Sequence, residues 1–208
     1  MLLTDRPLTD LLAAISDPSP TPGGGSAAAL AASTGLSLLA MVSQMGRTRS
    51  GSEDDRRVLD EARVALLPLR DHVVGLVNDD AGAYDAVVEA YRLPKSTDEE
   101  KSARQAAVQS ALRGAAEVPL DVMRACQAGL TAAGDVARHG NPSARSDVGV
   151  ALELLIAALK GAALNVSVNL DGIDEVGWVD GVRSEMERLE AAAPLLASDA
   201  RTALSEVS

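Results

Sequence analysis

A heptad pattern in the first half of the chain restricts the fold more than any other feature. Between about residues 53 and 93, apolar residues recur at alternating spacings of three and four, at Leu59, Ala62, Leu66, Leu69, Val73 and Leu76. This spacing is typical of a long α-helix with one apolar stripe. Such a helix extends roughly 60 Å, whereas a compact domain of this size has a radius of gyration of about 17 Å. Either Pro68 bends the helix, or the chain forms an elongated bundle completed by a second copy.

The scarcity of aromatic residues supports a helical fold. The 208 residues include no Phe, two Tyr and one Trp, so the pleated faces of a β-sandwich or barrel lack their usual side chains. A hydrophobic content of 47% excludes a disordered chain. We predict one all-α domain over residues 1–208, an elongated bundle of five to six long helices kinked at internal prolines such as Pro68 and Pro194. Two of these helices are predicted to start at Ser52 and at Thr97, where Glu100 completes a capping box.

Charge and ligand-type residues exclude several functions. A net charge of −11 and the lack of stacking aromatics disfavour a nucleic-acid partner. The lone Cys126 rules out an internal disulfide and a Cys-cluster metal site, and two histidines leave little for a His-based one. We therefore expect no metal.

The chain shows no targeting or membrane-spanning pattern. Its N-terminus carries Asp5 and Asp10 and no basic region, unlike a signal peptide. The most apolar stretch, residues 27–42, contains several polar residues and is shorter than the ~20 residues that span a bilayer. We expect a buried helix there, no membrane partner, and the cytoplasm as the location.

A carboxylate interrupts the apolar stripe. Asp80 falls four residues after Leu76, at a position that faces the core. Because burying an unpaired charge is costly, the side chain must be paired, protonated or beside a cavity. The alternative is a helix that rotates after Pro68 and turns Asp80 to solvent.

Two further segments carry unusual residues. One face of the helix predicted from about residue 143 to 170 combines Asp147, small residues, Asn165 and Asn169, which suits close approach by a flat ligand or by another helix. Gly23 to Gly25 precede Ser26, the predicted N-cap of an Ala-rich helix. Free N–H groups there suit an anion or a ring edge, although a plain glycine loop explains them too.

Eight short motifs occur in one order along the chain. They are Pro20-Thr21-Pro22-Gly23-Gly24-Gly25-Ser26, Asp80-Ala81-Gly82-Ala83-Tyr84, Arg92-Leu93-Pro94-Lys95, Val118-Pro119-Leu120, Asn141-Pro142, Ser146-Asp147, Asn165-Val166 and Asn169-Leu170. Together they resemble the cyclodeaminase/cyclohydrolase family of one-carbon metabolism, which includes formimidoyltetrahydrofolate cyclodeaminase and methenyltetrahydrofolate cyclohydrolase. The resemblance covers about Leu8 to Gly172.

The resemblance implies an all-α subunit that forms a homodimer and binds a tetrahydrofolate derivative, without a metal, near the glycine-rich loop. Both family reactions form or open the 5,10-methenyl bridge through a tetrahedral carbon between N5 and N10. Each needs an acid and a base. The sequence shows no transferase domain, which makes the cyclodeaminase the less expected of the two.

We assign candidate roles on this basis. Asp80 is the first choice for the acid/base group. Asp147 is either a second carboxylate or a favourable charge at a helix N-terminus, and Lys95 either pairs with a carboxylate, anchors the folate tail or is merely solvated. The implied substrate-binding residues are Gly23, Gly24, Gly25, Ser26, Asn141, Ser146 and Asn165.

Other interpretations stay open at this point. The anionic tail of a folate would need basic residues, for which the candidates are Arg92, Lys95, Lys101, Arg104 and Lys160. The chain could also be a folate-binding relative without catalysis, or a structural helical bundle.

Overall fold

The computed structural model describes residues 2–206, and the elements found there are helices. They are α1 (Leu8–Ser16), α2 (Gly24–Ser43), α3 (Glu53–Arg92), α4 (Asp98–His139), α5 (Arg145–Leu170) and α6 (Val176–Ser205), with short 3₁₀ turns at Leu3–Asp5 and Pro142–Ala144. The prediction of an all-α bundle of long helices is confirmed.

Helices α2, α3, α4 and α5 form the body of the bundle, with α2 in contact with the other three. Helix α2 packs against α3, α4 and α5, while α4 also packs against α3 and α5. Helix α6 lies outside this group, against α4 and α5. The buried side chains form one continuous core that draws on α2 to α6, and many of them are alanines. Small side chains let the helix axes approach closely, which suits a core with few aromatic residues.

The heptad stripe and two predicted helix starts are confirmed. Leu59, Leu66 and Val73 of α3 are almost fully buried. Ser52 caps α3 by accepting a hydrogen bond from the Asp55 N–H, and Thr97 forms a capping box with Glu100 at the start of α4. Because these caps satisfy N–H groups within their own turns, the local sequence alone predicts them.

Three prolines, including the two at which we expected bends, lie inside continuous helices. Pro68 is within α3, Pro119 within α4 and Pro194 within α6. Each removes one backbone hydrogen bond from its helix, but the helix continues on both sides. Extensive packing against neighbouring helices offsets that local cost, and α3 spans all 40 residues from Glu53 to Arg92.

Helix α2 begins earlier than predicted. We expected Ser26 to be its N-cap, but the N-cap is Gly23, and Ser26 lies in the first turn. The prediction was wrong because the Ser26 hydroxyl bonds to α3 instead of to its own helix. Among the described helices, α2 alone is long and apolar enough to cross a membrane, and 61% of its most apolar window is buried in the bundle. A core helix passes the same test, so this is weak evidence for a membrane span.

Candidate functional site

Asp80 lies where α3 meets the first turn of α2. One of its carboxylate oxygens, Oδ2, accepts hydrogen bonds from the backbone N–H of Ser26 at 2.7 Å and from the Ser26 hydroxyl at 2.9 Å. The same hydroxyl is 3.0 Å from the carbonyl oxygen of Val77. Ser26 is fully buried and Asp80 half-buried. The alternative in which α3 turns Asp80 into open solvent is therefore excluded.

The second oxygen of Asp80 lies directly over Gly25. A Cβ atom added to Gly25 would be 2.0 Å from Asp80 Oδ1 and 2.5 Å from Cγ, so only glycine leaves room for the carboxylate. No donor among residues 2–206 binds Oδ1. Asp80 is thus anchored through one oxygen and presents the other.

The N-terminus of α2 supplies unpaired donors beside this carboxylate. Ala27 N–H bonds to the Gly23 carbonyl, and Ser26 N–H bonds to Asp80, but the N–H groups of Gly24 and Gly25 bind no described residue. The positive end of the α2 dipole favours the anionic Asp80 at this position. Gly24 itself is exposed, so a ligand can reach the backbone there.

Two asparagines of α5 complete a small cavity of about 240 Å³. Asn165 Nδ2 donates to the Gly161 carbonyl at 2.8 Å, and Asn169 Nδ2 donates to the Ala115 carbonyl at 2.7 Å. With the amide nitrogens tied to backbone carbonyls, the Oδ1 atoms remain as acceptors. Gly23, Gly24, Gly25, Asp80, Tyr84 and Thr21 also line this cavity.

The cavity lining therefore includes one carboxylate, two amides and one aromatic residue, Tyr84, and no Lys or Arg of the described residues belongs to it. This arrangement suits a ligand that is a delocalised cation with N–H donors on its edge. Asn169 and Thr21 were not among the predicted site residues. The sequence does place Asn169 on the same helix face as Asn165, one turn further on, and this shared face is the signal for it.

The structure does not bring four predicted site residues to this cavity. Asp147, Ser146 and Asn141 lie at the opposite end of α5, and Asp147 is about 27 Å along the helix axis from Asn165. Asn141 caps the 3₁₀ turn by accepting from Ser143 N–H. Lys95 is exposed in the loop between α3 and α4. Within one subunit Asp147 cannot act on the same atom as Asp80, and the roles of these four residues stay predictions.

The small residues in the first half of α5 contact another helix, which is one of the two interpretations that the sequence allowed. Ala151 and Ala158 are buried, and a Cβ on Gly35 of α2 would be 3.1 Å from the Ala151 carbonyl. Small residues here let α2 and α5 touch, while the asparagines at the other end line the cavity.

The basic residues expected to hold an anionic tail also lie elsewhere. Arg92 pairs with Glu89, Lys101 with Asp98, and Arg104 bonds to the Tyr91 carbonyl. Lys95 and Lys160 are exposed. None of the five lines the cavity.

Groups suited to a metal are not found here. Among residues 2–206, no three His, Cys, Asp or Glu side chains are arranged to hold a metal ion. The thiol of Cys126 is fully buried, and burial raises its pKa to about 12. It lies apart from the cavity lining.

Comparisons with known proteins agree with the motifs and the fold. The formiminotransferase-cyclodeaminase family matches residues 7–188. The chain is 40% identical over 186 residues to the methenyltetrahydrofolate cyclohydrolase of Methylorubrum extorquens, with 88% of each chain covered. It is 35% identical over 173 residues to the formimidoyltransferase-cyclodeaminase of Gallus gallus, where 83% of this chain matches only 32% of the longer relative.

A solved structure shows the same architecture. The crystal structure of formiminotetrahydrofolate cyclodeaminase from Thermotoga maritima superposes with a TM-score of 0.85 and 26% sequence identity, covering 97% of both chains. The resemblance that the motifs indicated is thereby confirmed: the chain belongs to the formiminotransferase-cyclodeaminase family.

Proposed function

We propose that this chain is a folate one-carbon enzyme that hydrolyses 5,10-methenyltetrahydrofolate to 10-formyltetrahydrofolate. The proposal depends on one observation about the two carboxylate oxygens of Asp80. Oδ2 accepts hydrogen bonds from Ser26, whereas Oδ1 binds no donor among the described residues and Asp80 lines a cavity. Support for hydrolysis over cyclodeamination comes from the 40% identity to a cyclohydrolase along 88% of both chains.

In the first step, a water molecule attacks the methenyl carbon. Asp80 Oδ1 removes a proton from this water as the new C–O bond forms, which gives a neutral carbinolamine between N5 and N10. The anionic carboxylate also stabilises the positive charge that the methenyl group carries before attack.

In the second step, the carbon–N5 bond breaks. Asp80, now protonated, delivers its proton to N5, while the hydroxyl of the carbinolamine loses its own proton and becomes the formyl oxygen on N10. One proton is released overall, and Asp80 returns to its starting state. The bonds from Ser26 hold the carboxylate in place through both transfers.

Cyclodeamination is the second candidate, because the Thermotoga maritima relative of similar fold carries that name. There N10 attacks the formimino carbon on N5. Asp80 would take the proton from N10 and pass it to the amino group on that carbon, which then leaves as ammonia. The same oxygen serves both reactions, so the two activities are separated by assay rather than by geometry.

The test is Asp80→Asn, which keeps the shape of the side chain but removes its acid/base capacity. We expect turnover of 5,10-methenyltetrahydrofolate, followed as loss of the methenyl absorbance, to fall about 10³-fold, with an unchanged helical circular dichroism spectrum. The matched control is Asp79→Asn, an exposed neighbour on α3 that should retain full activity.

Each outcome of this assay has a distinct meaning. Full activity in Asp80→Asn would overturn the role of Asp80. Growth of the methenyl absorbance from 5-formimidoyltetrahydrofolate, without hydrolysis of the methenyl compound, would favour cyclodeamination. Saturable folate binding by the wild type without turnover would identify a non-catalytic relative.

We also propose that the chain acts as a homodimer. Support comes from apolar side chains on the outer face of α5, where Val150, Leu164 and Val168 are between 51% and 73% exposed. Exposed apolar patches of this kind are typical of interaction surfaces. Location in the cytoplasm stays a prediction.

A further inference from the structure

A second and larger cavity, of about 620 Å³, adjoins the Asp80 cavity. The two share Thr21 in the loop before α2, and α3 forms one wall of each. Ala81 and Asp85 line the larger cavity, while their neighbours Asp80 and Tyr84 line the smaller one. The two cavities are therefore neighbours on either side of Thr21 and of this segment of α3.

The N-terminal segment that forms the far wall is attached to α3. Thr4 N–H donates to Asn78 Oδ1 at 3.3 Å, and Asn78 Nδ2 donates to the Thr4 hydroxyl at 3.0 Å. These bonds join residues 74 positions apart in the chain. Arg6 follows two residues later and lines the cavity from a fixed piece of backbone.

The guanidinium of Arg6 lacks a partner. Its Nε is buried without a hydrogen bond, and it forms no ion pair with any residue of the described range 2–206. Leaving a charged donor buried and unpaired is costly, and the wall offers two carboxylates, Asp17 and Asp85, that Arg6 does not engage.

Asp17 is already satisfied by other groups. Its Oδ1 accepts hydrogen bonds from the Ser19 hydroxyl at 2.5 Å and from Ser19 N–H at 3.0 Å, and these bonds hold the pKa of Asp17 below its usual value. Asp85 is exposed. The structure thus keeps Arg6 in a cavity wall without a bond to either carboxylate. A guanidinium in that position suits a carboxylate ligand, since it can form two parallel bonds to such a group.

The size of the smaller cavity also indicates that the tail of the substrate lies outside it. Ligands of folate size occupy pockets of about 300–1,000 Å³, so a cavity of about 240 Å³ can accept the bicyclic ring and its one-carbon bridge but not the whole molecule. The aminobenzoyl-glutamate part must extend elsewhere, and the cavity beyond Thr21 is next to it.

We propose that Arg6 binds a carboxylate of the glutamyl tail of the folate substrate in this second cavity. The proposal rests on the proposed function. Arg6 was not among the basic residues that the sequence suggested for binding the tail. Those residues were Arg92, Lys95, Lys101, Arg104 and Lys160. With Asp17 and Asp85 in the same wall, the cavity suits one glutamate, and further glutamates would lie outside it.

The experiment combines Arg6→Gln with two substrates, 5,10-methenyltetrahydrofolate and 5,10-methenyltetrahydropteroate, which lacks the glutamate. We expect Arg6→Gln to raise KM for the glutamylated substrate about ten-fold with little change in kcat, and to leave KM for the pteroate unchanged. Arg6→Lys keeps the charge but not the paired donors and should fall between. The control is Arg183→Gln, an exposed arginine on α6 that forms no ion pair within the described residues.

The substrate pair separates this proposal from the reaction itself. An equal rise in KM for both substrates, or no rise for either, would overturn the role of Arg6, and circular dichroism identifies a variant that does not fold. If the wild type turns over neither compound, the proposed function fails, and the tail site is then decided by equilibrium binding of 5-formyltetrahydrofolate and 5-formyltetrahydropteroate. Weaker binding of the glutamylated compound alone in Arg6→Gln supports the site, and equal binding to wild type and variant overturns it.

Discussion

Two aspartates of α3, one in its first turn and one in its second half, use the same anchoring contact and differ in one oxygen. Oδ2 of Asp55 accepts from the N–H of Ser50 at 2.7 Å and from its hydroxyl at 2.6 Å. Oδ2 of Asp80 accepts from the N–H and hydroxyl of Ser26 in the same way. Oδ1 of Asp55, however, bonds to His139 Nδ1 at 2.8 Å, whereas Oδ1 of Asp80 is open over Gly25.

This difference separates a structural carboxylate from one available for chemistry. Asp55 is 6% exposed and joins the loop before α3 to the last turn of α4. Burial by itself would raise the pKa of Asp55, but hydrogen bonds from Ser50, His139 and Thr48 outweigh it and hold the pKa well below its usual range. A buried aspartate is therefore not by itself a candidate acid or base, and a free oxygen beside a cavity is the more informative signal.

The largest effect expected from this comparison comes from closing the space over Asp80. Gly25→Ala places a Cβ 2.0 Å from Oδ1, so the carboxylate must move. We expect kcat to fall about 100-fold, because displacements near 1 Å have such effects on positioned groups. Steady-state kinetics with 5,10-methenyltetrahydrofolate measures this fall in kcat.

The control for that variant is Gly75→Ala. Gly75 is inside α3 with nothing within 4 Å of the added Cβ, so the same substitution meets open space. Alanine also has a higher helix propensity than glycine, and we expect unchanged kcat with equal or greater stability. If Gly25→Ala kept full activity, the oxygen over Gly25 would not be the reacting one.

The comparison also shows what the sequence could and could not predict. Asp80 was found because it interrupts an apolar stripe with a regular period. The caps at Ser52 and Thr97 were found because they involve neighbours in the chain. The Asp55–His139 contact was not found, since it joins residues 84 positions apart and neither breaks a local pattern.

Contacts between distant parts of the chain were also not predicted in the rest of the site. Ser26 was noticed but given the wrong contact, because its partner is on another helix. Arg6, the residue proposed to bind the tail, has no signal in the sequence, since an unpaired arginine looks like any other until its surroundings are known. Residues near each other on one helix are predictable from spacing, and the meeting of distant segments requires the fold.

A smaller effect, on stability alone, is expected in the first turn of α3. Asp55→Asn removes the charge from a buried group that is hydrogen-bonded to Ser50 and His139, and hydrogen bonds to charged groups contribute about 1.5–3 kcal/mol. We expect the free energy of unfolding to fall by about 2 kcal/mol and Tm by about 6 °C, with kcat unchanged below the transition. Urea and thermal unfolding measure the loss.

The matched variant is Asp54→Asn, in the same turn of α3. Asp54 has an exposed side chain that pairs with Arg57, and exposed ion pairs contribute about 0–1 kcal/mol. An equal loss of stability in both variants would mean that charge at the α3 N-terminus, rather than the buried contact, stabilises this end. A loss of kcat in Asp55→Asn would contradict the division between the two aspartates.

The smallest expected effect is the pH dependence of the Asp55 contribution. Because the pKa of Asp55 is lower in the folded than in the unfolded chain, its stabilisation is complete above the unfolded pKa of about 4 and is lost as pH falls toward the folded value. The gap in unfolding free energy between wild type and Asp55→Asn should therefore shrink by about 1 kcal/mol between pH 5 and pH 3. Carboxylates present in both proteins cancel in this difference. Urea unfolding at each pH measures the gap, and a gap that stayed constant to pH 3 would mean that Asp55 stabilises the fold through the shape of its contacts rather than through its charge.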